Sequence, residues 1–288
     1  MKTYRINLIT DCASNINFKR GRICGIYDKC FNIAADGGLI TIFKNTDFIS
    51  SRALVSDFNG SFLKLDIANG EKVFCENNII KLKNILFNKE NAEIFEMKKT
   101  AGEIADFYKP QMCKNEIVNF LKNSEKVGLN AYFDEIMQFC EDGAISGSDE
   151  YIKKILTAFK MLFNCEYNAA FNRLIGLGIG LTPSCDDVLS GIAALTYLAD
   201  KNNIFCSFLK KYLENYGEKR TTYVSASLLS DVASGYINQN IFDVITLNST
   251  DKNLRKCADY GSSSGLETLI GIVMGIYFLK RRRIIDVC

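Results

Sequence analysis

A stretch in which glycines alternate with apolar residues, ahead of a helix-like segment, constrains this chain more than any other. Residues 176–187 read G-L-G-I-G-L-T-P-S-C-D-D. Glycine enters loop conformations that other residues avoid, and Pro183 suits the first turn of a helix because no N–H donor is needed there. We therefore predict a tight loop followed by a helix that Thr182 or Ser184 caps.

The glycine loop has two interpretations. In the first, Gly176, Gly178 and Gly180 let an anion approach the backbone N–H groups at the positive end of the helix. Asp186 and Asp187 in the first turn would repel that anion unless a metal ion or a donor-bearing substrate intervened. In the second, the loop is only a tight connection to a buried, capped helix. It is not a standard nucleotide loop, because it lacks both the Walker lysine and the glycine spacing of the dinucleotide fingerprint.

A second segment repeats the start of the predicted helix. Residues 184–192 read S-C-D-D-V-L-S-G-I, and residues 264–272 read S-G-L-E-T-L-I-G-I. Gly191 and Gly271 occupy equivalent positions, and a glycine on a helix face allows a neighbouring helix to approach closely. We predict that the two helices cross at these glycines and that their N-termini face one site.

The acidic residue of each repeat also has two interpretations. Asp187 and Glu267 complete the S-x-x-[DE] spacing of a capping box, in which the carboxylate bonds back to the start of its own helix. A carboxylate at a helix N-terminus that faces a cleft would instead contact a ligand. Thr222 and Ser225, three residues apart, would share one helix face and bind either a polar ligand or backbone carbonyls.

The signature G-x-G-x-G-L-T-P-S-x-D-D-x-L-x-G resembles that of the AllH family. The T-x-x-S of Thr222 and Ser225 and the S-S-G of residues 263–265 fit the same pattern, so the resemblance spans roughly residues 170–275. Members of this family are implicated as a subunit of oxamate carbamoyltransferase in anaerobic allantoin breakdown. Cys185 departs from the pattern, since the family usually has glycine there, and a thiol at a helix N-terminus would have a lowered pKa.

The resemblance implies a small anionic substrate of the oxalurate, phosphate or carbamoyl phosphate class, handled with partner subunits. Its chemistry would be substrate positioning and oxyanion stabilisation. The candidate catalytic residues are Asp186, Asp187 and Glu267. The candidate substrate-binding residues are Gly176, Gly178, Gly180, Thr182, Ser184, Thr222, Ser225, Ser263, Ser264 and Gly265.

Two other functions fit the same residues. The chain would be a non-catalytic binding or scaffold subunit if the pocket only holds its ligand. It would be a phosphoryl-transfer enzyme if Mg²⁺ bound Asp186 or Asp187 beside the glycine loop. Apart from this magnesium alternative, we predict no metal and no cofactor.

Composition excludes several classes of site. The 288 residues include no histidine, so Ser-His-Asp catalysis and histidine-ligated metals are excluded. A formal net charge of +2 provides no strong field for nucleic acid or a membrane surface. The eleven cysteines are scattered without a C-x-x-C motif and no signal peptide is evident, so we expect reduced thiols and a cytoplasmic location.

Sequence periodicity predicts an α+β protein with two domains. Residues 1–98 contain short apolar runs separated by turn dipeptides such as Asn59-Gly60, typical of an antiparallel sheet that forms a small barrel or a sandwich. The predicted strands cover 22–26, 39–43, 52–56, 61–67, 72–75 and 79–82. From residue 99 the apolar spacing becomes helical, and residues 99–288 would form a helical domain that carries the glycine loop and the site.

Overall fold

The computed structural model describes residues 1–16, 18–36, 38–44, 49–105, 110–147, 149–246 and 250–282. The chain divides into two compact units, Met1–Lys98 and Lys99–Cys288. The first unit is built on strands and the second on helices. The predicted α+β class is therefore confirmed.

The first unit is an eight-stranded barrel with one additional strand. Within its described residues the strands run in the order β5-β4-β3-β2-β6-β7-β8-β1, and β1 also pairs with β5, which closes the sheet. The remaining strand, β9, pairs in parallel with the end of β1. The strands are β1 (Lys2–Thr10), β2 (Arg20–Ile26), β3 (Cys30–Ala35), β4 (Gly38–Phe43), β5 (Ala53–Ser56), β6 (Lys72–Glu76), β7 (Ile79–Leu82), β8 (Ile85–Asn88) and β9 (Glu93–Phe95).

Strand β1 closes the barrel because its two halves have different partners. Its first half pairs in parallel with β8, and its second half pairs antiparallel with β5. A register shift between Ile6 and Leu8 lies at the changeover, as expected where a β-bulge bends a strand. Phe31, Phe62 and Phe87 are fully buried in the barrel core.

One predicted strand is wrong. Residues 61–67 partly alternate between apolar and polar side chains, but the chain there forms a 3₁₀ turn at Phe62–Lys64. Phe62 is fully buried and packs on Phe31 with ring centroids 5.1 Å apart, whereas Leu63 is 63% exposed. The partial alternation in the sequence therefore reflects the burial of one aromatic side chain, Phe62, and not a paired strand.

The second unit is helical. A short helix, α1 (Asp11–Ser14), belongs to the first unit, and the other helices of the described chain belong to the second. They are α2 (Pro110–Lys122), α3 (Phe133–Asp142), α4 (Glu150–Phe163), α5 (Tyr167–Leu174), α6 (Ser184–Ala199), α7 (Ile204–Arg220), α8 (Tyr223–Ala233), α9 (Gln239–Ile245), α10 (Asp251–Ala258) and α11 (Ser264–Arg281).

Helices α6 and α11 form the centre of this unit and cross at the two glycines of the repeat. A Cβ atom on Gly191 would lie 2.1 Å from the carbonyl oxygen of Thr268, and one on Gly271 would lie 2.1 Å from that of Val188. Both helices are buried along nearly their whole length. The predicted crossing is therefore confirmed. No helix in the described ranges combines the length and the apolar character needed to cross a membrane.

Candidate functional site

Residues 175–183 connect α5 to α6. Gly176, Gly178 and Gly180 have φ angles of +84°, +127° and +109°, values that favour glycine. Two of them also lie too close to other backbone for a side chain. A Cβ on Gly176 would lie 1.8 Å from the carbonyl oxygen of Arg220, and one on Gly178 would lie 2.4 Å from the amide nitrogen of Ser184.

The tip of this loop carries unused backbone donors. The N–H groups of the five residues 178–182 donate to no acceptor within the described chain, whereas those of the flanking Gly176, Leu177 and Cys185 do. Ile179 at the tip is 91% exposed, and the loop is therefore open to solvent. Backbone N–H groups beside a helix N-terminus are the type of donor that anion sites use.

The capping prediction for α6 is wrong. The N-cap residue is Pro183, which has no side-chain donor or acceptor, and Ser184 is already the first helical residue. Thr182 instead reaches across to α11, where its Oγ1 lies 3.0 Å from Oγ of Ser264. The starts of the two repeat helices therefore meet, as the repeat predicted.

Asp186 is held by three donors from two separate segments. Its Oδ1 accepts the N–H of Gly176 at 2.8 Å, and its Oδ2 accepts the hydroxyls of Thr221 at 2.5 Å and Ser225 at 2.6 Å. Burial raises the pKa of Asp186, and these bonds from Ser225, Thr221 and the Gly176 N–H oppose the shift. Asp186 thus ties the beginning of the glycine loop to α8.

Thr222 ties the other end of the loop to the same helix. It lies outside α8 as the N-cap residue, so it does not share a helix face with Ser225 as predicted. Its Oγ1 donates to the carbonyl of Leu181 at 2.5 Å and accepts the N–H of Ser225 at 3.0 Å. Both hydroxyls of the T-x-x-S motif therefore hold the loop in place.

Asp187 differs from Asp186 because its Oδ2 is buried and has no hydrogen-bond partner among the described residues. The side chain lies in the first turn of α6, and the residue is 6% exposed. Burial holds the pKa of Asp187 well above its ordinary value, and the charges of Glu267 and Asp186 add to the shift, while hydrogen bonding from the Ser264 and Thr182 hydroxyls to this carboxyl group opposes it. An oxygen that is buried without a hydrogen-bond donor of its own is a candidate for contact with a ligand.

Glu267, the equivalent acid of the second repeat, is engaged on both oxygens. Its Oε1 accepts the N–H of Leu129 at 3.0 Å, and its Oε2 accepts the hydroxyl of Ser263 at 3.1 Å. Gly128 gives this carboxylate its space, since a Cβ there would lie 2.3 Å from Oε1. The capping interpretation holds only in part, because Ser263, not Ser264, is the N-cap residue and the bond joins its side chain.

One predicted site residue, Gly265, faces elsewhere, and the Cys185 thiol does not have the predicted character. Gly265 packs against α10, where a Cβ would lie 1.9 Å from the carbonyl oxygen of Cys257. Cys185 is fully buried, and desolvation raises the pKa of its thiol, with the carboxylates of Asp186, Glu267 and Asp187 adding to the shift. The expectation of a lowered thiol pKa at the helix N-terminus is therefore wrong, because burial outweighs the helix dipole.

One residue of the site, Thr221, was not predicted from the sequence. Its hydroxyl donates to Asp186, but it stands one position before the T-x-x-S motif, so the motif spacing did not include it.

The magnesium alternative would use Asp186 or Asp187 as ligands. Across the described residues no group of three or more Cys, Asp or Glu side chains is arranged to hold a metal ion. Both oxygens of Asp186 already accept hydrogen bonds, which leaves Asp187 as the only one of the two with a free oxygen.

All thirteen predicted site residues lie in the part of the chain that matches a known family. No solved structure matches the chain. Residues 174–276 match the family model described as oxamate carbamoyltransferase subunit AllH, which confirms the resemblance to that family over this segment.

Proposed function

We propose that this chain is the small-anion-binding subunit of a carbamoyltransferase-type enzyme similar to oxamate carbamoyltransferase. Its ligands would belong to the oxalurate, phosphate and carbamoyl phosphate class. The observation that carries the proposal is the unpartnered Oδ2 of Asp187, buried where the N-termini of α6 and α11 meet. A buried polar atom without a partner costs stability, and a bound ligand would supply the partner.

The glycine loop supports the same function. Its row of unused N–H donors would face an oxyanion, and its two ends are fixed by Asp186 and Thr222. Fixed donors stabilise negative charge that develops during transfer of a carbamoyl group, because they need no rearrangement as the charge appears. This chemistry requires no histidine. The description of the matching family as a subunit supports an assembly with partner chains.

A direct test measures binding of oxamate, oxalurate, inorganic phosphate and carbamoyl phosphate by calorimetry, with and without Mg²⁺. We expect at least one of these anions to bind the wild-type chain. Gly178→Val should abolish this binding because its side chain would collide with the backbone of Ser184. The matched control is Gly70→Val, at another glycine with positive φ but with no atom within 4 Å of the added Cβ.

The outcomes separate the alternatives. Loss of binding in Gly178→Val alone supports the site, whereas equal binding in both variants or no binding by the wild type refutes it. Binding that requires Mg²⁺ favours the phosphoryl-transfer alternative. Carbamoyl transfer by the isolated chain would make it catalytic by itself, and activity only with partner subunits would assign it a binding role within the assembly.

A further inference from the structure

We infer that Asp187 receives the anion as an uncharged carboxylic acid and donates its Oδ2 proton to an oxygen of the ligand. The inference rests on the proposed function and adds to it the protonation state in which the site binds. The ligand chemistry is that of an oxyanion, a carboxylate or a phosphate, that accepts a hydrogen bond from a carboxyl group.

The charges around Asp187 are all of one sign. Asp186 on α6 and Glu267 on α11 act on Asp187 as negative charges, while the Cys185 thiol on α6 and the Tyr151 phenol on α4 have raised pKa values and stay neutral. No lysine or arginine of the described residues forms an ion pair with Asp186, Asp187 or Glu267. The three acidic residues are only 2%, 6% and 1% exposed. An anion entering this site as a further negative charge would meet strong repulsion at low dielectric.

The hydrogen bonds single out which carboxyl group holds the proton. Asp186 accepts three hydrogen bonds and Glu267 accepts two, and in each of them both carboxylate oxygens have a donor. Only Asp187 has an oxygen without a donor. A proton on that oxygen removes one charge and converts the lone acceptor into a donor. The direction of its pKa shift agrees with this assignment.

A protonated Asp187 resolves the conflict between an anion site and an acidic first helical turn. The loop N–H groups and the Asp187 carboxyl would then all donate to the same oxyanion. A ligand with an ammonium group would instead require the ionised carboxylate. The site is thereby specific for oxyanions over amines of similar size.

The test follows the dissociation constant of oxamate for the full chain from pH 5 to pH 10. Oxamate remains a carboxylate anion throughout, so the ligand itself does not titrate. In the wild type we expect an affinity that is constant at low pH and then falls up to tenfold per pH unit above the pKa of Asp187. Calorimetry in two buffers of different ionisation enthalpy should show uptake of up to one proton in that falling range.

Two variants test whether Asp187 is the residue that carries the proton. Asp187→Asn keeps a donor at the same place, so it should bind oxamate with little dependence on pH and without proton uptake. Asp134→Asn, at an exposed acid of α3, should behave as the wild type. If Asp187→Asn does not fold, oxamate binding by the wild type that is independent of pH still overturns the inference.

Failure of this inference can be distinguished from failure of the proposed function. Oxamate binding that is independent of pH, or proton uptake that persists in Asp187→Asn, overturns this inference and leaves the proposed function standing. If none of oxamate, oxalurate, phosphate and carbamoyl phosphate binds at any pH, the proposed function fails and the inference fails with it.

Discussion

At the scale of single residues, the two adjacent aspartates of the signature have opposite roles. Asp186 accepts three hydrogen bonds and holds the loop to α8, while Asp187 is equally buried and leaves Oδ2 without a donor. Nothing in the S-x-x-D-D spacing distinguishes them, because the hydroxyl partners of Asp186 come from residues 35 and 39 positions further along the chain. The sequence could therefore predict an acidic site but not which acid remains free.

Asp187 should destabilise the fold, increasingly so at high pH. Burial raises the pKa of Asp187 in the folded state. At pH values between its unfolded pKa of about 4 and its folded pKa, the native state therefore binds more protons than the unfolded state. Stability due to this group is then lost as the pH rises. We expect Asp187→Asn to raise the free energy of unfolding by about 1 kcal/mol or more at pH 8, and by less at pH 5.

Urea denaturation at both pH values measures this effect, with Asp134→Asn as the exposed control. Asp186 is present in all three proteins, and its pKa is also raised by burial. A gain in stability that is equal at both pH values would show that Asp187 is not the titrating group. A loss at pH 8 would show that the ionised carboxylate contributes to the fold.

At the scale of elements, a repeat of nine residues predicted the crossing of α6 and α11, because glycines in equivalent positions mark the place where two backbones touch. The ends of these helices were less predictable. Each N-cap lies one residue before the serine of the repeat. The capping pattern therefore predicted the correct helical turn but not the correct N-cap residue. The barrel was harder still, since its closure depends on the pairing of β1 with β5 and β8, far apart in sequence.

Substitution of the crossing glycines should cost far more than substitution of another helical glycine. In Gly191→Ala the new methyl group would lie 2.1 Å from a backbone oxygen of α11, so the helices must separate, at a cost of about 2 kcal/mol or more. Gly217 in α7 is the matched control, because a Cβ there would meet only side-chain atoms of Ala226 and Leu213, at 3.4–3.7 Å, which is ordinary van der Waals contact. Gly217→Ala should be neutral or stabilising by up to about 1 kcal/mol.

Chemical denaturation of both variants gives the comparison directly. If Gly191→Ala were as stable as the wild type, α6 and α11 would not be in backbone contact, and the meeting of their N-termini at one site would be in doubt. Equal losses in the two variants would instead indicate a general requirement for glycine in these helices, unrelated to the crossing.

At the scale of the whole molecule, each unit has its own core. One core gathers apolar side chains from strands of the first unit, and the other gathers those of the helices from Ile104 to Leu279. All thirteen candidate site residues and the whole family match lie in Lys99–Cys288. The cysteines, by contrast, are distributed over both units, and their reactivity reports on the packing of each.

The thiols should react in the order of their burial. Cys24 and Cys165 are free thiols that are exposed to solvent. Burial raises the pKa of Cys206 to about 12 and also raises that of Cys185, which holds both as unreactive thiols. Under native conditions iodoacetamide should modify Cys24 and Cys165 first, and after denaturation intact mass should show eleven modified thiols.

Peptide mapping of the native reaction adds a test of the site itself. Cys185 lies between the glycine loop and the two aspartates, so its reaction requires the start of α6 to separate from its neighbours. We expect its rate to follow that of Cys206, a fully buried thiol further along the same unit, and to fall well below that of exposed Cys165. Modification of Cys185 as fast as Cys165 would mean that the junction of α6 and α11 is open in solution, and the buried position of Asp187 would have to be abandoned.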